Sequence, residues 1–431
     1  MQNYQSWKNY QKGLQRKGLY RRLLRQGFWF LPCLLLLVLA TQFSKVEPST
    51  GSFIRSPELG MPSKEKAVET SKVLMKKDLR GLIDPEVLCN CPDGKIHLSF
   101  SGNSFSTKTT LDSSFQAYMS GKIHGSKSPL VGFVAMEPSS GRILCMVDSK
   151  KIKGAESVCL SSQFPAASIF KIVSAAAAID RCNMSADTKL TYNGRKHTLY
   201  KNQLTDRTNR YTNSVSLKAS FAESINPTFG KLGISYLKKD LLQEYAVRFG
   251  FNQPINFELP LQPSRISVDD DSYHWAELAC GFNRETLISP VHGAMMAAAI
   301  LNDGKLVEPT IIEVITDSEN KPVYSGNTRV IRQVVSPKVS QEMKKLMAAT
   351  LSRGTSRRAF KGFRRDRHLK NLIIGGKTGS IKNKSDELFY DWFVGFCTEK
   401  AGTRELALAV LVVHDKLLRA RAQEYACLAM R

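Results

Sequence analysis

From Ile172 to Ile179 the chain reads Ile-Val-Ser-Ala-Ala-Ala-Ala-Ile, and Pro165-Ala166-Ala167 leads into it through Ser168-Ile169-Phe170-Lys171. A helix that is apolar all the way round cannot lie on a surface, so the rest of the fold has to enclose it. Ser168 falls in its N-terminal turn, where unpaired backbone N–H groups and the positive end of the helix dipole favour developing negative charge. Lys171, three residues on, lies on the same face one turn later. Taken alone, such a pair is a capping serine with a lysine reaching out to solvent.

Two further motifs change that reading. Ser224-Ile225-Asn226 and Lys377-Thr378-Gly379-Ser380 follow in this order. Each short match is weak by itself: Ser-x-x-Lys recurs at Ser63 and Ser235, and Ser-x-Asn at Ser101, Ser318 and Ser325, all in polar segments. An isolated Lys-Thr-Gly reads as a strand running into a turn. Gly375-Gly376 just before it argue instead for close approach of another backbone or a ligand.

A serine hydroxyl needs a base before it can attack an amide. The seven histidines show no local Ser-His-Asp signature, although such partners can be distant in sequence. Lys171 can serve if it loses its proton, and both burial and repulsion from Lys377 lower its pKa. On this reading Ser168 is the nucleophile and Ser224 relays a proton to the leaving amine. Asn226 grips the substrate amide, while Lys377 and Thr378 offer a charge and a hydroxyl to a substrate carboxylate. Gly379 lets the substrate approach the strand, and the backbone N–H groups of Ser168 and Ser380 form an oxyanion hole. No cofactor is called for, and no Cys-x-x-Cys or Cys/His spacing suits zinc.

The first 26 residues carry seven Lys or Arg and no acid. The apolar run from Gly27 to Phe43 that follows is just long enough to span a bilayer, and flanking positive charge stays inside. The expected organisation is a basic cytoplasmic tail (1–26), a single transmembrane helix (27–43), a membrane-proximal stalk (44–94) and a catalytic domain (95–431) outside the cytoplasm. A signal peptide cleaved near Val38-Leu39-Ala40 is the alternative. Of the net charge of +24, +17 remains beyond the tail and attracts anionic surfaces rather than nucleic acid, given the export. The densest basic cluster, Arg353 to Lys370, reads as a solvated loop that stands near the Lys377 strand. Eight of the nine cysteines lie beyond the span. Bridges from Cys89 or Cys91 to Cys159 or Cys182 are open, and Cys145, Cys280 and Cys397 sit in apolar contexts as small core residues.

The pattern from Lys95 onward is α/β, of the α+β kind. A strand is expected over Ile96–Leu111, a short helix over Ser113–Met119, and a hairpin of Val131–Met136 with Arg142–Val147. Helices follow over Val215–Ser224 and Thr228–Leu242, and a third opens at Ser289-Pro290 and stops at Asp303-Gly304. A second hairpin turns at Ser318–Lys321. Strands return at Leu372–Ser380, Asp391–Cys397 and Glu405–Val413, before a closing helix from about Lys416. Strands at both ends, with helices inserted between them, predict a sheet whose first and last strands pair.

With these motifs in this order, residues 95–431 resemble the transpeptidase domain of penicillin-binding proteins, chiefly the monofunctional class B type. Ile288-Ser289-Pro290 through Gly304, Gly354-Thr355 and Trp392-Phe393-Val394-Gly395-Phe396 are also similar to the family pattern. The resemblance implies a serine D,D-peptidase/β-lactamase-like fold, an antiparallel sheet flanked by helices with a helical lobe carrying Ser168. It implies D-alanyl-D-alanine stem peptides as acyl donors, an acyl-enzyme at Ser168, inhibition by β-lactams and a possible glycan polymerase as partner. The membrane-proximal region is short for class B. A class A β-lactamase would carry Glu-x-x-Leu-Asn, which is absent between Asn226 and Lys377. A D,D-carboxypeptidase and a non-catalytic wall-synthesis scaffold stay open.

Overall fold

The computed structural model describes residues 74–431, apart from Asn90, Pro92, Asp93, Ser101 and Lys153. The expected tail, membrane helix and first part of the stalk lie outside the described residues. Among those described, no helix is long and apolar enough to cross a membrane.

Four strands come early: β1 (Lys95–Phe100), β2 (Asn103–Thr109), β3 (Leu130–Met136) and β4 (Ile143–Lys150). The stretch expected as one strand over Ile96–Leu111 is therefore a hairpin. Gly102 turns it at φ +77°, a left-handed conformation that glycine adopts without steric cost. Then follow β5 (Ile312–Thr316), β6 (Pro322–Ser325), β7 (Leu372–Lys382), β8 (Phe389–Glu399) and β9 (Glu405–His414). The main sheet is antiparallel in the order β7-β8-β9-β3-β4, so an early strand pairs with the last one, Ala407 opposite Met136 through Val413 opposite Leu130. A smaller sheet runs β1-β2-β5-β6.

Long apolar runs make the main sheet because both its faces are covered. Along β9, Leu408, Val410 and Val412 join a cluster with Met119 and Ile123 of α1 (Ser113–His124) and with Ala422 and Tyr425 of the closing helix (Ala422–Met430). The alternate residues Ala407, Ala409, Leu411 and Val413 face the other core, with α2 (Lys171–Arg181). Each buried Leu or Val there contributes about 1.5–3 kcal/mol.

On the α2 side lies the helical lobe: α3 (Leu217–Ala222), α4 (Asn226–Lys231), α5 (Lys238–Arg248), α6 (Ser272–Cys280), α7 (Pro290–Leu301) and α8 (Pro337–Ser352). Every residue from Lys171 to Ile179 is buried, as the all-round apolar pattern requires. Ser289 caps α7 by accepting a hydrogen bond from the His292 N–H at 3.2 Å, with Pro290 at the first helical position. Residues 74–91 are not a bare stalk. Leu79, Ile83 and Leu88 belong to the core, the Leu74 N–H donates to the Val323 carbonyl at 2.9 Å, and buried Lys76 donates to the Pro309 carbonyl at 2.7 Å between Glu258 and Glu308. Cys159 and Cys182 carry free thiols, so none of the bridges left open by the sequence is formed.

Candidate active site

Three segments converge. Ser168 lies in a 3₁₀ turn, Ala167–Phe170, that runs straight into α2. Ser224 sits in the link between α3 and α4, and Lys377 lies in β7, the edge strand of the main sheet. The turn is pinned from below by Trp392, whose indole N–H donates to the Pro165 carbonyl at 2.9 Å. Ala167 is held at φ +49° and Ser224 at φ +57°, so both serine motifs carry backbone strain that alanine and serine rarely adopt. Gly281 is dictated by the first of these: a Cβ there would stand 1.9 Å from the Ala167 carbonyl oxygen.

Lys171 is fully buried, and its ammonium donates to Ser168 Oγ and Asn226 Oδ1, both at 2.9 Å, and to the Cys280 carbonyl at 2.5 Å. Burial lowers its pKa from 10.5 to about 8, opposed by neighbouring Cys280. The expected repulsion from Lys377 acts chiefly the other way. Lys377 is pushed well below its usual value by burial and then by Lys171. It donates to Ser224 Oγ at 3.0 Å and to the Thr378 carbonyl at 2.8 Å. Each lysine also faces a phenyl ring, Phe229 at 5.4 Å for Lys171 and Phe221 at 5.6 Å for Lys377, which tempers the cost of the buried charge. The result is two buried lysines with one serine each, the two halves joined through the link that carries Ser224 and Asn226.

Other sequence expectations are placed differently. Asn226 is engaged at both ends of its amide: Oδ1 accepts from Lys171, and Nδ2 donates to the His197 carbonyl at 3.1 Å. Thr378 Oγ1 pairs with Thr355 Oγ1 at 2.5 Å. Gly379 does permit a close approach, since a Cβ there would lie 3.1 Å from the Ala166 oxygen and from the Ile169 nitrogen, so β7 abuts the Ser168 turn itself. Gly375 and Gly376 serve another purpose than expected. They make room for the Phe396 and Phe393 rings, which would lie 2.5 and 2.3 Å from added Cβ atoms.

Sequence reasoning missed two parts of the surroundings. Ser380 is exposed, and its hydroxyl donates to Asp391 Oδ1 at 3.2 Å. Asp391 is 2 % exposed and takes a two-pronged hydrogen bond from Arg421 Nε and Nη2, both at 2.7 Å, while Arg421 Nη2 lies 3.4 Å from Ser380 Oγ. Burial alone would raise the Asp391 pKa; the two-pronged hydrogen bond and the charge of Arg421 overcome it and hold the carboxyl below its usual range. The rim residue His197 hydrogen-bonds to the Ser224 backbone, and its pKa is lowered chiefly by burial. Nothing local in the sequence joins these residues. Among the described residues no group of three or more His, Cys, Asp or Glu is arranged to hold a metal.

A serine in contact with a buried lysine of lowered pKa, at the edge strand of an antiparallel sheet, defines a serine acyl-transfer site. The family described as penicillin binding protein transpeptidase domain matches residues 131–427, and the chain belongs to that family. Among curated relatives, the peptidoglycan D,D-transpeptidase PbpA of Mycolicibacterium smegmatis is 26% identical over 321 residues, which make up 65% of this chain and 61% of that protein. Stage V sporulation protein D of Bacillus subtilis is 24% identical over 325 residues, 67% of this chain and 47% of its own length. The chain thus spans about half to six tenths of the length of these relatives. Among solved structures, the D,D-transpeptidase domain from Eggerthella lenta aligns with a TM-score of 0.62 at 21% identity, covering 75% of this chain and 81% of that one. The imipenem acyl-enzyme of penicillin-binding protein A from M. tuberculosis aligns with 0.61 at 22% identity, covering 75% and 78%. The fold is accordingly the serine peptidase/β-lactamase-like α/β fold of these transpeptidase domains.

Proposed function

We propose that this protein is a peptidoglycan D,D-transpeptidase that takes D-alanyl-D-alanine stem peptides as acyl donors and is acylated by β-lactams. The observation that carries the reading is Lys171, buried, in contact with Ser168 Oγ and poised to lose its proton near neutral pH. Neutral Lys171 takes the proton of Ser168 as Oγ attacks the donor carbonyl, and the tetrahedral oxyanion forms against the backbone N–H groups of Ser168 and Ser380. Ser224, bonded to Lys377, then gives its hydroxyl proton to the leaving D-alanine amine and is reprotonated by the proton that Lys171 took from Ser168. The acyl group on Ser168 is transferred to an amine of a second stem peptide. Thr378, Ser380 and Lys377 hold the terminal carboxylate of the donor, and Gly379 lets β7 lie against the Ser168 turn, which brings them beside the nucleophile.

The reading includes the membrane: residues 27–43 anchor the chain, residues 1–26 stay in the cytoplasm, and the catalytic domain stands outside it. It also includes a separate glycan polymerase as the source of the strands to be joined. Protease accessibility of the catalytic domain in spheroplasts, with residues 1–26 protected, tests the orientation. The activity is tested with a pentapeptide donor, with and without an amine acceptor. Cross-linked product is expected with the acceptor. Hydrolysis alone would make the enzyme a carboxypeptidase, and rapid turnover of nitrocefin would make it a β-lactamase.

A further inference from the structure

The basic cluster before the Lys377 strand is an exposed loop with its cations in solvent. Together with helices α3 and α8 and the start of β7 it encloses a groove of about 470 Å³. Six cations line it, Lys218, Lys345, Arg353, Arg364, Lys370 and Lys400, and no acidic residue does. Lys218 is paired with Asp187 and Lys345 with Glu342. Arg353, Arg364, Lys370 and Lys400 have no ion-pair partner among the described residues. Four uncompensated charges crowded round one groove repel one another and favour an anionic occupant.

The floor says which kind. Between the cations it is apolar, with Ala348 and Ala349 of α8 and Leu372 and Ile374 of β7. Ile373 is 48% exposed on the same stretch. That stretch belongs to an edge strand, whose outer side offers backbone N–H and C=O groups that no other strand of the sheet takes up. A phosphate polymer would leave the apolar floor unused, and a flat lipid surface does not enter a concave groove. An extended polypeptide that alternates acidic and apolar side chains satisfies all three features at once.

We propose that this groove is a docking site for an extended, acidic polypeptide segment of a partner protein, added beside β7 at Leu372–Ile374. Lys377 lies four strand steps beyond Ile373, about 13 Å along β7. A partner seated there would therefore lie next to the acyl-transfer site without occupying it. The inference does not depend on the substrate of that site.

The test is fluorescence anisotropy with the full chain and a labelled alternating Glu-Val peptide of about eight residues. The same peptide with Gln for Glu, long-chain inorganic polyphosphate and phosphatidylglycerol vesicles serve as competitors. Saturable binding of the acidic peptide is expected, weakened at least about tenfold in the double variant Arg364→Glu/Lys370→Glu and by added salt. The deciding variant is Ile373→Lys, which adds a positive charge but removes the apolar contact. It should weaken peptide binding, and stronger binding would reveal a purely electrostatic surface and overturn the proposal. No saturable binding, equal binding of the Gln peptide, or preferential binding of polyphosphate or vesicles would overturn it too. Retention of β-lactam labelling at Ser168 by each variant shows that the fold is intact, since none of these residues belongs to the acyl-transfer site.

Discussion

Lys171 gives the sharpest prediction, because its role depends on one number. An ordinary lysine with a pKa near 10.5 would be neutral at pH 7 in only about one molecule in 3,000. Buried here with a pKa of about 8, Lys171 is neutral in roughly one in ten. Burial thus raises the supply of free base about 300-fold. The second-order rate of Ser168 acylation by a fluorescent penicillin should follow the neutral fraction, rising about tenfold per pH unit below 8 and levelling off above it. Between pH 6 and pH 8 the gain is about 50-fold. Lys171→Met should lose about 10²–10⁴ in rate and show no such rise. Stability moves in parallel, with the sign set by a lowered pKa. The unfolded lysine keeps its proton between pH 8 and about 10.5 while the folded one has lost it, so folding gains as pH climbs through that window. Relative to Lys171→Met, the wild type should gain up to about 3 kcal/mol there, and the cost of burying the ammonium should stay constant below pH 8. Stopped-flow labelling across pH 6–9 measures the rate profile. A flat profile, or equal acylation of Lys171→Met at every pH, would refute the lysine as base.

Other perturbations should act through packing and strain. Gly281→Ala drives a methyl into the Ala167 carbonyl and puts a side chain at φ +67°, so it should cost about 1–3 kcal/mol in chemical denaturation and slow acylation by shifting the Ser168 turn. Asp391→Asn removes a buried carboxylate that Arg421 grips twice; it should lower stability by about 1.5–3 kcal/mol at neutral pH, with the difference shrinking as acid protonates Asp391 in the wild type. Ser224→Ala leaves Lys377 without its hydroxyl partner, so turnover of a peptide donor should fall about 10²–10⁴-fold while thermal unfolding shifts little.

The fold was legible where burial leaves a continuous signature. Strands β3 and β9 are apolar on both faces, and the all-apolar α2 had to lie inside. Caps were read unevenly. Ser289-Pro290 announced α7, yet Ser336-Pro337, the same signal with Ser336 accepting from the Val339 N–H, opens the 16-residue α8 that went unread. Gly102, which turns the chain where the first strand splits, was equally available. In the site, Ser168 and Lys171 are three residues apart and visible locally. Lys171 meets Asn226 across 55 positions and Lys377 meets Ser224 across 153, so only the order of the motifs could join them. The Arg421–Asp391 pair and the His197 rim lack even that, because their chemistry arises from how the closing helix packs against β8 and how the loop with His197 packs against the link between α3 and α4.

Intact-protein mass spectrometry after incubation with benzylpenicillin tests the central claim most directly. The account predicts a stable adduct of the whole antibiotic, mapped by peptide fragmentation to Ser168 and absent from Ser168→Ala. An adduct that persists in Ser168→Ala, or a folded wild type that takes up none, would contradict it.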